Sequence, residues 1–302
     1  MIEAQSLTKR YGATMAVNDV SFTVKPGVVT GFLGPNGAGK STTMRMMVGL
    51  DRPTSGSVRV NGHAPAQHTA PLHEVGALLE ARAVHPGRTA RNHLRALART
   101  SGIGRPRVEQ VLEVVGLAHV ASRRVGTFSL GMNQRLGVAA ALLGDPGTLI
   151  LDEPVNGLDL EGIRWIRSLL KGLAAEGRTV FLSSHLMSEM AMTAEHVIVI
   201  GQGQLLRDMP MADFIDDASA ESVRVRATDL NRMATLVEGA GGVASAEDAA
   251  LIVTGLSSDE IGILAAREGV TLLELAPRSA SLEDAYLALT HDTVDYRTGI
   301  SA

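Results

Sequence analysis

The sequence holds no cysteine, which excludes disulfides, a cysteine-ligated zinc and a cysteine nucleophile. Aromatic residues make up only 3%, so any core must be built from Leu, Val, Ile, Met and Ala; the 45% hydrophobic share is ample for one. No stretch reaches the roughly 20 apolar residues that a membrane span needs. The best candidate, Leu136 to Leu143, is far too short. If the protein serves a membrane, another chain crosses it. Met1 to Lys9 has no apolar core and carries Glu3, so a secretory signal is not expected. Charge of one sign is also lacking. The formal net charge is -4, without the basic excess of a nucleic-acid binder, and no nucleic-acid partner is expected.

What is present is an alternation of apolar runs and amphipathic segments. At 302 residues, the length fits one large domain and a smaller one. Phe22 to Val24 and Val28 to Leu33 read as strands around the turn Lys25-Pro26-Gly27. Ser41 to Leu50 reads as a helix, and Gly56 to Val60 as a strand ending at the hairpin signal Asn61-Gly62. Thr89 to Leu143 is mainly helical in pattern. Leu149 to Leu151, Thr179 to Ser183 and His196 to Ile200 suit buried parallel strands, with a helix from Leu158 to Ala175 between the first two. The composition changes after Phe214-Ile215-Asp216-Asp217. Strands are then expected at Ser222 to Ala227, Val243 to Ala246, Ala250 to Val253 and Val270 to Leu275. Helices are expected at Leu230 to Gly239, Ser258 to Arg267 and Leu282 to Leu289. That βαββαβ order fits a ferredoxin-like domain. The fold expected is an α/β domain over 1–218 with a helical insertion at about 86–147, followed by a small α+β domain over 219–302.

The strongest chemical signal is Gly34-Pro35-Asn36-Gly37-Ala38-Gly39-Lys40-Ser41-Thr42, which matches G-x-x-x-x-G-K-[ST]. An apolar strand runs into it and a helix runs out. Glycines let successive N–H groups curl inward onto phosphate oxygens, and the helix N-terminus adds partial positive charge. Lys40 brings a full charge to the β and γ phosphates, and the Ser41 hydroxyl can ligate Mg²⁺.

Leu149-Ile150-Leu151 ends in Asp152-Glu153. Adjacent carboxylates at the tip of a buried strand repel and are costly to desolvate. A dication between them and a triphosphate offsets that cost. Alone, such a pair reads as the start of a solvated loop; with a phosphate loop in the chain, Asp152 becomes the Mg²⁺ partner, through water. Glu153 becomes the base for an attacking water.

Further pieces stand in order. These are Thr8-Lys9-Arg10-Tyr11-Gly12, Phe128-Ser129-Leu130-Gly131-Met132 and Pro154-Val155-Asn156-Gly157-Leu158-Asp159, then Ser183-Ser184-His185. With the two motifs above, residues 1 to 210 resemble the nucleotide-binding subunits of ABC transporters. The resemblance implies a P-loop ABC ATPase core using ATP and Mg²⁺. Tyr11 would stack on adenine, although by itself it reads equally as a core tyrosine. Ser129 and Gly131 would be the signature contacts, made in trans to the ATP of a second copy. Ser129 would also cap a helix. Asp159 would belong to the D-loop and His185 would be the switch histidine. One motif of each kind implies a pair of chains, most simply a homodimer. The partners implied are a second copy and a separate transmembrane permease. The chain would sit in the cytoplasm, at the inner face of the cell membrane, through that permease. The permease contact is expected near Glu80 to Arg95.

Two departures matter. Glu80 occupies the position where this family usually has glutamine, which would bring a charge near Mg²⁺ and the γ-phosphate. Leu130 and Met132 replace the usual glycine and glutamine of the signature; a working trans contact with some loss of turnover is expected. These variants resemble the bacitracin-resistance and lantibiotic-immunity branch. Ser281-Leu282-Glu283-Asp284-Ala285-Tyr286 is similar to the tail of drug-exporter subunits, implying regulation or homodimer support. The expected function is ATP hydrolysis powering export of a drug or peptide antibiotic. The rivals are a soluble ABC ATPase, a P-loop small-molecule kinase, and an ATP-gated scaffold that Glu153 and His185 argue against.

Overall fold

The computed structural model describes residues 1–80, 84–218 and 222–278, with Leu282, Glu283, Tyr286 and Leu289 beyond them. The chain divides between Pro210 and Met211 into two units, against the expected boundary at 218/219. In chain order the first holds β1 (Ile2–Tyr11), β2 (Thr14–Val24), β3 (Val29–Leu33), α1 (Lys40–Met47), β4 (Ser55–Val60), α2 (Pro71–Glu74), β5 (Val75–Leu78) and α3 (Ala90–Thr100). It continues through α4 (Arg105–Val114), α5 (Leu130–Leu142), β6 (Thr148–Leu151), α6 (Leu160–Ala175), β7 (Thr179–Ser183), α7 (Met187–Thr193), β8 (His196–Gly201) and β9 (Gln204–Pro210).

The continuous apolar runs become strands buried on both faces: every residue of β3, β6 and β7 is buried. They lie in a six-stranded sheet of order β5-β6-β7-β3-β8-β9, parallel except for the antiparallel edge strand β9. Against it packs an antiparallel sheet of order β2-β1-β4. Its Phe22 meets Phe32 and Phe181 of the large sheet at centroid distances of 5.9 and 6.0 Å. With so few aromatics in the chain, this cluster is the bulk of the aromatic core, and each such pair is worth about 0.5–1.5 kcal/mol beyond area burial. The order β6-β7-β3 brings three carboxyl-terminal strand ends side by side. They carry the acid pair, Ser183 to His185, and the phosphate loop.

The helical insertion is α3, α4 and α5. It is tied to α6 where Trp165 donates its indole N–H to the Val114 carbonyl at 3.2 Å and Arg135 lies 4.5 Å above the Trp165 ring. The helix expected from Leu158 starts at Leu160 because Asp159 caps it, accepting from the Gly162 N–H at 2.8 Å.

The second unit opens with α8 (Met211–Ala218) and continues through β10 (Ser222–Ala227), α9 (Leu230–Gly239), β11 (Val243–Glu247), β12 (Ala250–Thr254), α10 (Ser258–Arg267) and β13 (Leu272–Arg278). The antiparallel sheet has the order β11-β12-β10-β13 and the βαββαβ path expected of it. Its last strand begins two residues late, because the Val270 N–H closes α10 on the Ala265 carbonyl at 2.9 Å. Most of the expected helix at Leu282 to Leu289, and of the tail motif at Ser281 to Tyr286, lies outside the described residues; Leu282, Glu283, Tyr286 and Leu289 are helical. No helix among the described residues is long and apolar enough to cross a membrane.

Candidate nucleotide site

A cleft of about 310 Å³ opens at the carboxyl-terminal edge of β3 and β6, lined by Ala16, the phosphate loop, Asp152 and Glu153. The cap of α1 is Gly39, which has no side chain to satisfy the first-turn N–H groups, so they stay available to an anion. Only glycine fits there: φ is +99°, and a Cβ would sit 2.4 Å from the Ala16 carbonyl oxygen. The Lys40 ammonium donates to the carbonyls of Gly34 at 2.5 Å and Pro35 at 3.1 Å. Burial pushes its pKa down, while Glu153 and Asp152 act to raise it. Phosphate oxygens offer that half-buried cation better partners than two carbonyls.

The acids are tightly networked. The Ser41 hydroxyl donates to Asp152 Oδ2 at 2.7 Å, and Ser183 donates to Oδ1 at 2.5 Å. Ser183 Oγ in turn accepts from the Glu153 N–H at 2.9 Å. His185 meets Glu153 Oε2 through Nδ1 at 2.6 Å and through its backbone N–H at 3.3 Å. Glu153 itself is left-handed, at φ 51°.

The hydroxyl of Ser41 and the carboxylate of Asp152 are hard oxygen donors held together at the cleft, and they fit Mg²⁺. One hydroxyl and one carboxylate suit a small ion that keeps water and phosphate oxygens in its shell.

Pro35, Asn36, Gly37, Gly39, Lys40, Ser41, Thr42, Asp152 and Glu153 thus line one cleft, with His185 hydrogen-bonded at its rim; Gly34 and Ala38 complete the loop. Tyr11, Glu80, Ser129 and Gly131 are not among its lining residues. The Tyr11 hydroxyl donates to Asp51 at 3.0 Å, and Lys9 Nζ lies 4.9 Å from its ring centroid. At 47% exposure Tyr11 is not a core tyrosine. Glu80 is exposed and acts electrostatically on Arg45 of α1. Ser129 caps α5, accepting from the Met132 N–H at 3.2 Å, and faces solvent. Asp159 is the cap of α6.

Three comparisons bear on this arrangement. A family model described as "ABC transporter" matches residues 17–156, and a model of a domain of unknown function matches residues 221–283. The bacitracin transport ATP-binding protein BcrA of Bacillus licheniformis is 41% identical over 241 residues, covering 79% of this chain and 78% of that protein. The chain belongs to the ABC transporter ATP-binding family. The lantibiotic transport ATP-binding protein SrtF of Streptococcus pyogenes is 36% identical over 68% of this chain and 89% of its own. A dimeric ATP-binding cassette in a post-hydrolysis state, bound to ADP and Pi, superposes at a TM-score of 0.64 with 25% identity, covering 70% of this chain and 99% of that one. This ABC ATPase therefore binds nucleotide and hydrolyses ATP to drive a membrane transporter.

Sequence reasoning missed Ser183, which bridges Asp152 and Glu153, and Gln134 of α5, which donates to the Glu153 carbonyl at 2.8 Å. A signal for Gln134 existed. It shares a helix face with Val138 and Ala141, and a lone amide on an apolar stripe must find a buried partner.

Proposed function

We propose that this ABC ATPase powers export of a drug or peptide antibiotic, working as a head-to-tail homodimer on Mg-ATP. The single observation that carries the hydrolytic part is the Glu153 carboxylate, 2.6 Å from His185 Nδ1 and beside the Ser41–Asp152 pair. Phosphates settle on the first-turn N–H groups of α1, and the Lys40 ammonium turns from its two carbonyls to the β and γ oxygens. Tyr11 stacks on adenine. Ser41, and Asp152 through water, would hold Mg²⁺, which when bound neutralises developing phosphate charge. Glu153 takes a proton from the attacking water, and His185 aims that carboxylate and meets the γ-phosphate. Ser129 and Gly131 of a second copy close the site; the solvent-facing position of Ser129 supports this. The bacitracin and lantibiotic transport relatives support the exporter reading.

The permease, a separate membrane-spanning partner, docks on the groove beside Glu80. That groove measures about 390 Å³ and includes Met47, Val48, Leu50, Leu72, Leu79 and Leu97. Leu50 is 60% exposed there, an apolar surface that a membrane subunit would cover. Residues 81–83 of the expected contact stretch lie outside the described residues. Through the permease the chain sits at the inner face of the membrane. Mg-ATP hydrolysis by the full chain across a protein concentration series tests the homodimer. Specific activity that climbs with concentration is expected. A rate strictly proportional to protein, at concentrations where sedimentation shows the chain monomeric in Mg-ATP, would rule out sites shared between two copies.

A further inference from the structure

The helix that begins at the signature turn also reaches back to the acid pair of its own chain. Gln134 is 4% exposed, one of few buried polar side chains among the described residues, and its Nε2 donates to the Glu153 carbonyl at 2.8 Å. On the other side of the residue, the Glu153 N–H donates to Ser183 Oγ at 2.9 Å. Both backbone groups of Glu153 are thus held from neighbouring elements, one from α5 and one from the end of β7, and the carbonyl also accepts from the Asn156 N–H of its own loop at 3.1 Å.

That hold has something to oppose. Glu153 has φ 51°, a left-handed conformation that non-glycine residues rarely adopt. The next residue is Pro154, which biases its predecessor toward extended backbone. Neither the residue type at 153 nor the proline after it favours the observed conformation. Released, Glu153 would relax toward the extended region, and its carboxylate would swing away from His185 and from the cleft. A strained residue over-determined by its surroundings is a feature of functional sites.

We infer that Gln134 is a positioning residue for hydrolysis: its amide fixes the left-handed backbone that aims the Glu153 carboxylate. This rests on the reading of Glu153 as the base. It also gives the signature helix a second duty. The segment that offers Ser129 and Gly131 to a partner's ATP is bonded, through Gln134, to the base that serves its own chain's ATP.

The test is a double-variant cycle on the full chain with Gln134→Met, which keeps the side-chain length and removes the donor, and Glu153→Gln. Steady-state Mg-ATP hydrolysis and direct nucleotide binding are read for both single variants and the pair. Gln134→Met is expected to lower kcat about tenfold, equivalent to about 1.4 kcal/mol of barrier, with ATP affinity within twofold of the parent. In the Glu153→Gln background it should cause no further fall, because the base through which it acts is already gone. Unchanged kcat in Gln134→Met overturns the inference, as does an equal fall in both backgrounds. Should Gln134→Met fail to fold, Gln134→Leu, which also lacks the donor and brings no charge, is read in the same way. Near-normal turnover by Glu153→Gln alone would instead remove the base assignment, and the inference with it.

Discussion

Substituting Gly157 with alanine should cost more than a loop position normally does. Gly157 sits in the loop after the acid pair at φ +74°, and a Cβ there would lie 2.3 Å from both Cγ and Cδ2 of Leu130. Two costs follow. The left-handed backbone costs a non-glycine residue about 1–2 kcal/mol. Displacing Leu130 costs about 1 kcal/mol more, the scale of an off-rotamer side chain; it is 39% exposed and can swing into solvent rather than crush the loop. The total, roughly 2–3 kcal/mol, corresponds to a melting midpoint lower by about 4–12 °C for a unit of this size. Gly131 rests on the same loop, since a Cβ there would meet the Gly157 oxygen at 2.9 Å. The displaced signature turn should therefore lower kcat while leaving nucleotide binding at the phosphate loop near normal. Adding Leu130→Gly to Gly157→Ala should recover about 1 kcal/mol, the contact part, and leave the backbone part. Thermal melting and steady-state ATPase of the three variants decide it. A Gly157→Ala protein that melts and turns over like the parent would refute the reasoning. So would a double variant no better than the single one.

Other outcomes are as specific. Ser41→Ala should raise the Mg²⁺ concentration for half-maximal ATPase several-fold and leave nucleotide binding in chelator unchanged, as read by titrating the metal. Tyr11→Phe should hold ATP affinity within about threefold, whereas Tyr11→Ala should weaken it about tenfold or more, the loss of one base-stacking platform; a fluorescent nucleotide titration separates them. Burial, with Arg88 adding to it, holds the His93 imidazole below its ordinary range, and its Nδ1 is buried without a partner. The folded state therefore prefers neutral His93. Its stabilising contribution is whole above pH about 6.5 and is lost as pH falls below that value toward the folded pKa. Melting midpoints measured between about pH 7.5 and 5 should fall toward acid, and less steeply in His93→Leu.

The parts of this site legible in the sequence are those where a short motif coincides with the end of a buried strand. The phosphate loop follows β3, the acid pair follows β6, and His185 follows β7 by one residue; apolar runs betray all three strands. Contacts between motifs were not legible. Gln134 meets the Glu153 carbonyl across 19 positions of sequence, and the packing of Leu130 on Gly157 is a tertiary fact. That packing gives the departure at Leu130 a physical reason, since the bulk of its side chain lies where the loop has no Cβ. In the fold, β1 and all of β2 before Phe22 escaped notice. Their pairing is interrupted by register shifts, with Ser6 and Asp19 at positive φ, which breaks the two-residue alternation that marks a half-buried strand. The edge strand β9 has no buried residue and mixes Leu205, Leu206 and Met209 with Gln204, Arg207 and Asp208 without regular alternation, so its sequence reads as loop although it pairs with β8 along its length. The chain also divides at Pro210 rather than at the composition change, because α8 goes with the second unit.

The central claim is that Glu153 is the base of an ATP-hydrolysing site. The most direct test is single-turnover hydrolysis of Mg-ATP by Glu153→Gln beside the parent, with nucleotide binding measured on the same samples. The account predicts binding within a few-fold and turnover lower by about 100-fold or more, the range of general-base contributions. Turnover close to the parent's, with binding intact, would contradict it.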